Sequence, residues 1–194
     1  MRAGRIAVLS IALLIAAAVA AATLETVVVT HDDGRYKLTA RAYMQAPREA
    51  IFVILTDYDH MGRLSSTYKE YGFLEPAPDG VPIVFTRMEG CVLFFCRSLR
   101  RVERMEARAP GFIRTVGLPE HSDFRYTLSE WWLEPDAGGT QIVYHLEMEP
   151  DFWVPPLIGP WILERRLQRG GAAAVDRIER LAQELASGYA HAAP

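Results

Sequence analysis

The chain has 194 residues, half of them hydrophobic and a tenth aromatic, with a formal net charge of −3 at pH 7. That balance suits one domain with a full core. The mild acidity excludes a nucleic-acid partner, because gripping phosphates needs a concentrated basic surface.

Arg2 and Arg5 lead into an apolar run, Ile6 to Ala22, broken only by Ser10 and ending in Ala20-Ala21-Ala22. This is the pattern of a signal peptide over residues 1–22; an uncleaved membrane anchor is the alternative, since the run is at the short limit for crossing a bilayer. Removing those residues takes the net charge to −5, because Arg2 and Arg5 go with them. Residues 23–194 read as a single exported domain, and the compartment as the bacterial periplasm. Lysine occurs only at Lys37 and Lys69 and asparagine not at all, so no glycosylation sequon exists.

After "TVVVT", the stretch "HDDGR" reads as a turn between strands, and "YKLTARAYM" puts Tyr36, Leu38, Ala40, Ala42 and Met44 on one face. Pro47 suits a first helical position, and Ile51, Phe52, Ile54 and Leu55 form a short apolar stripe before "TDYDHMG". From Thr67 to Glu149 the pattern is that of about six strands, separated by the turn-forming runs "EPAPDG", "ARAPG", "GLPEHSD" and "EPDAGG". Gln141 to Glu149 alternates most clearly, with Ile142, Tyr144, Leu146 and Met148 on the apolar side. Its neighbour groups Phe124, Tyr126, Leu128 and Trp132, and "WW" at Trp131 and Trp132 sends one indole to each face.

"EGCVLFFCR" holds the only two cysteines, Cys91 and Cys96. On one straight strand their Cα atoms would lie about 16 Å apart, whereas a disulfide needs them within about 7 Å. An oxidising compartment favours the bridge, so the chain is expected to reverse, with Val92, Leu93, Phe94 and Phe95 at a hairpin tip. Two free buried thiols are the alternative. The tip either folds into the core or serves as a portal or membrane-contact loop. Arg97, Arg100, Arg101 and Arg104 follow, interleaved with Glu103 and Glu106, and read first as a solvated strand face, with lipid phosphate as the alternative partner.

Pro155, Pro156, Gly159 and Pro160 precede a helix running to about Ser187, with the stripe Leu157, Trp161, Leu167, Gly171, Val175, Ile178, Ala182 and Leu185. Gly170 and Gly171 interrupt it at a cost of about 2 kcal/mol against alanine. The helix there packs closely on the sheet, kinks, or leaves space beneath itself.

Strand, short helices, a long antiparallel meander and a terminal helix make an α+β order. "APREAIFVILTDYDHMGRL" resembles the first helix and turn of the START-like, or SRPBCC, superfamily. "GTQIVYHLEMEPDFWVPPLIGPWILERRLQRGG...IERLA" resembles the last strand and helix of its polyketide cyclase/dehydrase and coenzyme Q-binding branch. The resemblance implies a helix-grip fold, a curved antiparallel sheet wrapped around a long C-terminal helix. It also implies a hydrophobic or amphipathic guest such as a lipid, an isoprenoid quinone or a polyketide. The residues expected to line its cavity are Phe52, Phe85, Phe124, Tyr126, Leu128, Trp132, Tyr144, Leu146, Met148, Trp153, Trp161, Leu167, Gly171 and Val175.

No Gly-rich phosphate loop, zinc pattern or nucleophile elbow occurs, so neither cofactor nor metal is expected and no catalytic residue is assigned. His121, Ser122 and Asp123 read as turn residues, His145 as a surface histidine, and Asp57, Asp59, His60 and Arg63 as a helix end, with a ligand head group as the sharper reading of that cluster. Binding without catalysis leads, with peripheral membrane contact as a further possibility. A cyclase-like enzyme is the alternative, and would need a polar residue deep in the cavity with perturbed titration: Tyr126, Tyr144 or Glu130.

Overall fold

A computed structural model describes residues 22–92, 95–153 and 159–192, without the side chains of 91, 92, 95, 159, 160, 162–164, 166–169 and 189–192. Residues 1–21 of the anticipated signal segment, the tip residues Leu93 and Phe94, and Leu157 therefore lie outside the described residues, as do the side chains of Val92, Phe95 and Leu167.

The first hairpin joins β1 (Thr23–Asp32) to β2 (Arg35–Met44). Asp33 and Gly34 turn it with φ of 45° and 79°, the left-handed pair that matches strand twist in a two-residue turn. Then come α1 (Arg48–Thr56), a 3₁₀ segment at Tyr58–Arg63, β3 (Tyr68–Leu74), β4 (Ile83–Val92), β5 (Phe95–Arg108) and β6 (Phe112–Gly117). A short turn at Pro119–His121 leads to β7 (Phe124–Asp136), β8 (Gly139–Pro150) and α2 (Gly159–Ala192). Pro47 stands at the cap of α1 rather than inside it.

All neighbouring strands pair antiparallel in one eight-stranded sheet, ordered β1-β2-β8-β7-β6-β5-β4-β3 and open between β1 and β3. This is the helix-grip α+β arrangement: α2, about 51 Å long at 1.5 Å per residue, lies across the concave face. Val175, Ile178 and Ala182 of α2 are buried with Ile51, Ile54 and Leu55 of α1 and Met44, Ile113, Leu133 and Ile142 of the sheet. Polar ties fix the helix as well. Glu179 accepts from the Gln45 backbone N–H at 2.5 Å and from that of Ala22 at 3.2 Å, and Gln183 Nε2 donates to the Gln45 carbonyl at 2.8 Å.

Period-two alternation fixes which side chains face α2. On β2 the buried set is Tyr36, Leu38, Ala42 and Met44, and β8 follows in register, with Ala42 opposite Ile142 and Leu38 opposite Leu146. β7 departs from expectation. A register shift between Phe124 and Tyr126 puts Thr127, Ser129 and Leu133 on the buried face, while Tyr126, Leu128 and Trp132 alternate to the other. Trp132 stands there between Phe112 and His145, and Arg35 covers Tyr126 at 4.2 Å. The inner positions of β7 are polar because they serve a polar layer described below.

The chain does reverse at the cysteines: Val92 pairs with Phe95, and Cys91 stands directly opposite Cys96. Arg97, beyond the hairpin base, covers Phe152 at 4.3 Å.

A cavity between the sheet and the terminal helix

A cavity of about 350 Å³ opens between the concave sheet and α2. Small residues make the room. Ala40 and Ala42 of β2 face Gly170, Gly171 and Ala174 of α2, while Leu24 and Val27 of β1 and Leu55, Tyr58 and Met61 after β2 wall it further. A Cβ at Gly170 would meet nothing within 4 Å, whereas one at Gly171 would come to 3.2 Å of Leu24 Cδ2. The first glycine leaves open space and the second admits a side chain from the edge strand. Together they account for the helix-interior cost anticipated from the sequence.

One wall is polar. Thr86 of β4, Arg101 of β5, Ser129 of β7 and Tyr144 of β8 line the cavity together with Tyr68. Ser129 shares a 2.7 Å hydrogen bond with Thr115, and the Tyr144 ring lies against Trp131 with centroids 4.0 Å apart. Arg101 Nη2 donates to Glu103 Oε2 at 2.7 Å, and Thr127 Oγ1 donates to Glu103 Oε1 at 3.1 Å. Glu103 is 1% exposed, so this pair belongs to the interior. Arg101 Nε and Thr86 Oγ1 are buried without a hydrogen-bond partner among the described residues.

Burial opposes the charge on Arg101, yet the Glu103 carboxylate, with Tyr144 and Tyr68 nearby, outweighs it and holds the guanidinium pKa above its ordinary value. Burial pushes the Tyr58 and Tyr144 phenols well up, Glu103 adding to the effect. Tyr68 is raised for the same first reason. The wall thus combines one fixed cation with phenols that stay protonated and able to donate.

Of the residues expected to line the cavity, Tyr144, Gly171 and Val175 do so. Leu146 is buried and Met148 shares its face of β8, but neither borders the space, nor do Phe52, Phe85 and Phe124. Phe52 packs half-buried beside the core, Phe85 lies under Arg100 at 5.6 Å, and Phe124 is buried edge-on to Phe152. Five of the expected residues stand elsewhere. Tyr126, Leu128 and Trp132 lie on the face away from α2, with Trp131 taking the inner position, and Trp153 and Trp161 are 78% and 56% exposed.

Arg101 is the inverse error. Alternation along β5 turns it inward with Glu103 and Met105, while Arg100, of opposite parity, is exposed and Arg104 pairs with Asp79 at 2.5 Å; Arg97 shares Arg101's parity but is exposed nearer the hairpin. Thr86, directly opposite Arg101 across β4 and β5, was missed with it; the available signal was strand parity.

The other polar groups serve the fold. Ser122 Oγ accepts from the Val102 N–H at 2.9 Å, and Asp123 Oδ2 accepts from the Arg100 N–H at 2.6 Å, bracing β5. His145 pairs with Thr39 at 3.2 Å, and Glu130 with Arg114 at 3.5 Å. Asp57 takes His60 Nδ1 at 2.8 Å and also holds Arg63. Among the described residues no cluster of three or more metal-ligating side chains occurs, and no helix is long and apolar enough to cross a membrane.

Comparison with solved structures places this architecture among known ones. Human STARD10 superimposes with a TM-score of 0.60 at 10% identity, covering 81% of this chain and 73% of its own. The Zhui aromatase/cyclase from Streptomyces sp. R1128 gives 0.58 at 15% identity, covering 77% and 94%. A STAR-related lipid transfer protein from Xanthomonas axonopodis gives 0.58 at 13% identity, covering 82% and 99%. At these identities the likeness is one of fold. No curated protein matches the sequence. The sequence model of one family, polyketide cyclase / dehydrase and lipid transport, matches residues 35–183, a span that includes every strand from β2 to β8 and the cavity-lining part of α2. The chain therefore belongs to the polyketide cyclase / dehydrase and lipid transport family.

Proposed function

We propose that the protein encloses a hydrophobic or amphipathic small molecule between its sheet and α2 and carries it unchanged. The observation that supports this most is the cavity of about 350 Å³, walled mainly by aliphatic and small side chains with a few convergent donors. It lies within the roughly 300–1,000 Å³ of small-molecule sites. At about 30 Å³ per heavy atom, it suits a single-chain guest of roughly a dozen heavy atoms. The likeness in fold to a STAR-related lipid transfer protein agrees with carriage.

The setting is an exported protein, in our reading, processed after its N-terminal segment and working in the bacterial periplasm, with Cys91 bridged to Cys96. Their opposed positions in the β4–β5 register and the lack of a free cysteine among the described residues support the bridge. The hairpin tip is read as a portal touching membrane lipid. Arg97 stacking on Phe152 places the hairpin base beside the β8–α2 connection, where Trp153 is exposed, and exposed tryptophans favour a lipid interface.

A cyclase-like enzyme is the second reading. Tyr144, with its raised pKa and its place in the cavity wall beside Arg101, favours it, whereas Tyr126 and Glu130 lie on the outer face.

Replacing Ala40 by phenylalanine tests the cavity. The side chain projects into open space, so displacement of an apolar fluorophore should fall at least tenfold while the circular dichroism spectrum and unfolding midpoint hold. Unchanged probe binding in a folded Ala40→Phe variant would refute the proposal. Turnover of a polyketide-like chain by the wild type would favour the enzyme.

A further inference from the structure

The cavity wall carries more hydrogen-bond donors than the protein satisfies. Arg101 and Thr86 are direct cross-strand partners and both line the cavity. Arg101 commits Nη2 to Glu103, while its Nε and Thr86 Oγ1, on a residue only 3% exposed, are buried without partners among the described residues. Buried donors are rarely left unmade. Two of them, on adjacent strands of the cavity wall, mark where an acceptor of the guest would sit.

Charge balance selects the kind of acceptor. Arg101 is the one charged residue among those described as lining the cavity, and its charge is already matched by Glu103 at 2.7 Å. The remaining ionisable groups there, Tyr58, Tyr68 and Tyr144, are neutral phenols. A carboxylate or phosphate would add a second anion close to Glu103 with no second cation to meet it, and burying an unmatched charge is costly. A carbonyl oxygen brings no charge, accepts two hydrogen bonds, and gains a charge-assisted one from the guanidinium.

Resting on the reading of the cavity as a ligand site, we infer that Arg101 and Thr86 form a recognition site for one neutral carbonyl oxygen, such as that of a ketone, quinone or ester, on a single-chain apolar guest. The same site rejects carboxylates and phosphates of equal length.

Three probes of one size test this on the full protein at pH 8 by displacement of a bound apolar fluorophore: 2-undecanone, undecanoate and undecane. The wild type should bind the ketone at least tenfold more tightly than the carboxylate. Thr86→Val should weaken ketone binding about fivefold, the loss of one hydrogen bond. It should leave undecane unchanged and raise the unfolding midpoint of the unliganded protein, since it deletes a buried hydroxyl with no partner. A purely structural threonine would show the opposite stability change. The double variant Arg101→Met/Glu103→Met, which leaves no orphaned charge, should erase the preference for ketone over carboxylate. Undecanoate binding as tightly as the ketone, or ketone affinity indifferent to Thr86→Val, would overturn the inference while the cavity reading stands. Failure of all three probes to bind would overturn the cavity reading and the inference with it.

Discussion

Replacing Arg101 by methionine should be among the most damaging single changes in the sheet, for reasons that lie with Glu103. That carboxylate is 1% exposed and has two partners, Arg101 Nη2 at 2.7 Å and Thr127 Oγ1 at 3.1 Å. Without the guanidinium, Glu103 must keep its charge with one neutral donor or take up a proton inside the fold. Removing one member of a buried pair costs about 3–5 kcal/mol, a large share of the roughly 5–15 kcal/mol that holds a domain together. The double variant Arg101→Met/Glu103→Met removes the problem along with the pair. It leaves only the Thr127 hydroxyl short of an acceptor, so its stability should return to within about 1–2 kcal/mol of wild type. Urea unfolding of the four proteins closes the cycle, and the two substitutions should couple by about 2–3 kcal/mol or more. A loss below about 1 kcal/mol for Arg101→Met alone, or a double variant no more stable than the single, would refute the reasoning.

Further outcomes follow from the same structure. Gly170→Ala should stabilise the protein by about 0.5–1 kcal/mol, because the added methyl meets nothing within 4 Å and the helix gains a better former; a lowered urea midpoint would contradict this. Tyr36, Tyr58, Tyr68 and Tyr144 all have pKa values raised in the fold by burial. The stability tied to them is complete below the unfolded value near 10 and is lost as pH climbs above it, at up to about 1.4 kcal/mol per pH unit for each. Spectrophotometric titration should therefore show these phenols ionising only as the fold is lost; early, reversible ionisation of all eight tyrosines would contradict it. If Cys91 and Cys96 are bridged, reduction should lower stability by about 2 kcal/mol, the loop entropy of so small a ring. Non-reducing peptide maps in which both residues alkylate freely would remove that staple.

The sequence revealed the fold more fully than the site. In β2 and β8, aliphatic and aromatic residues alternate with polar ones, so Leu38, Ala42, Ile142 and Leu146 declared their face without ambiguity. The paired turns Asp33-Gly34 and Ala137-Gly138 were visible as breaks rich in glycine and acid. β7 misled because its bulky residues, Tyr126, Leu128 and Trp132, face outward, whereas Thr127 and Ser129 face in. Those inner residues are polar because Glu103, two strands earlier, and Thr115, one strand earlier, need hydrogen-bond partners. Likewise, Arg101 sits in a run of arginines that elsewhere meet solvent, and its inward turn follows from strand parity together with a buried glutamate two residues on. Polar residues paired across strands carry no local hydrophobic signal, which is why Arg101, Thr86 and Ser129 of the cavity wall could not be read from the hydrophobic pattern, and Trp131, Tyr58 and Tyr68 line it in place of the expected Trp132 and Tyr126. The two glycines of α2 announced a packing reason for themselves, but not that one of them would open onto empty space.

The claim beneath all of this is that the space between the sheet and α2 receives a guest molecule. Native mass spectrometry of the full-length protein, purified without detergent from the cells that make it, measures this most directly. The account predicts a one-to-one apolar adduct that is released on denaturation and absent from the Ala40→Phe variant. Protein that is bare in both forms, and that takes up no apolar probe when offered one, would contradict it.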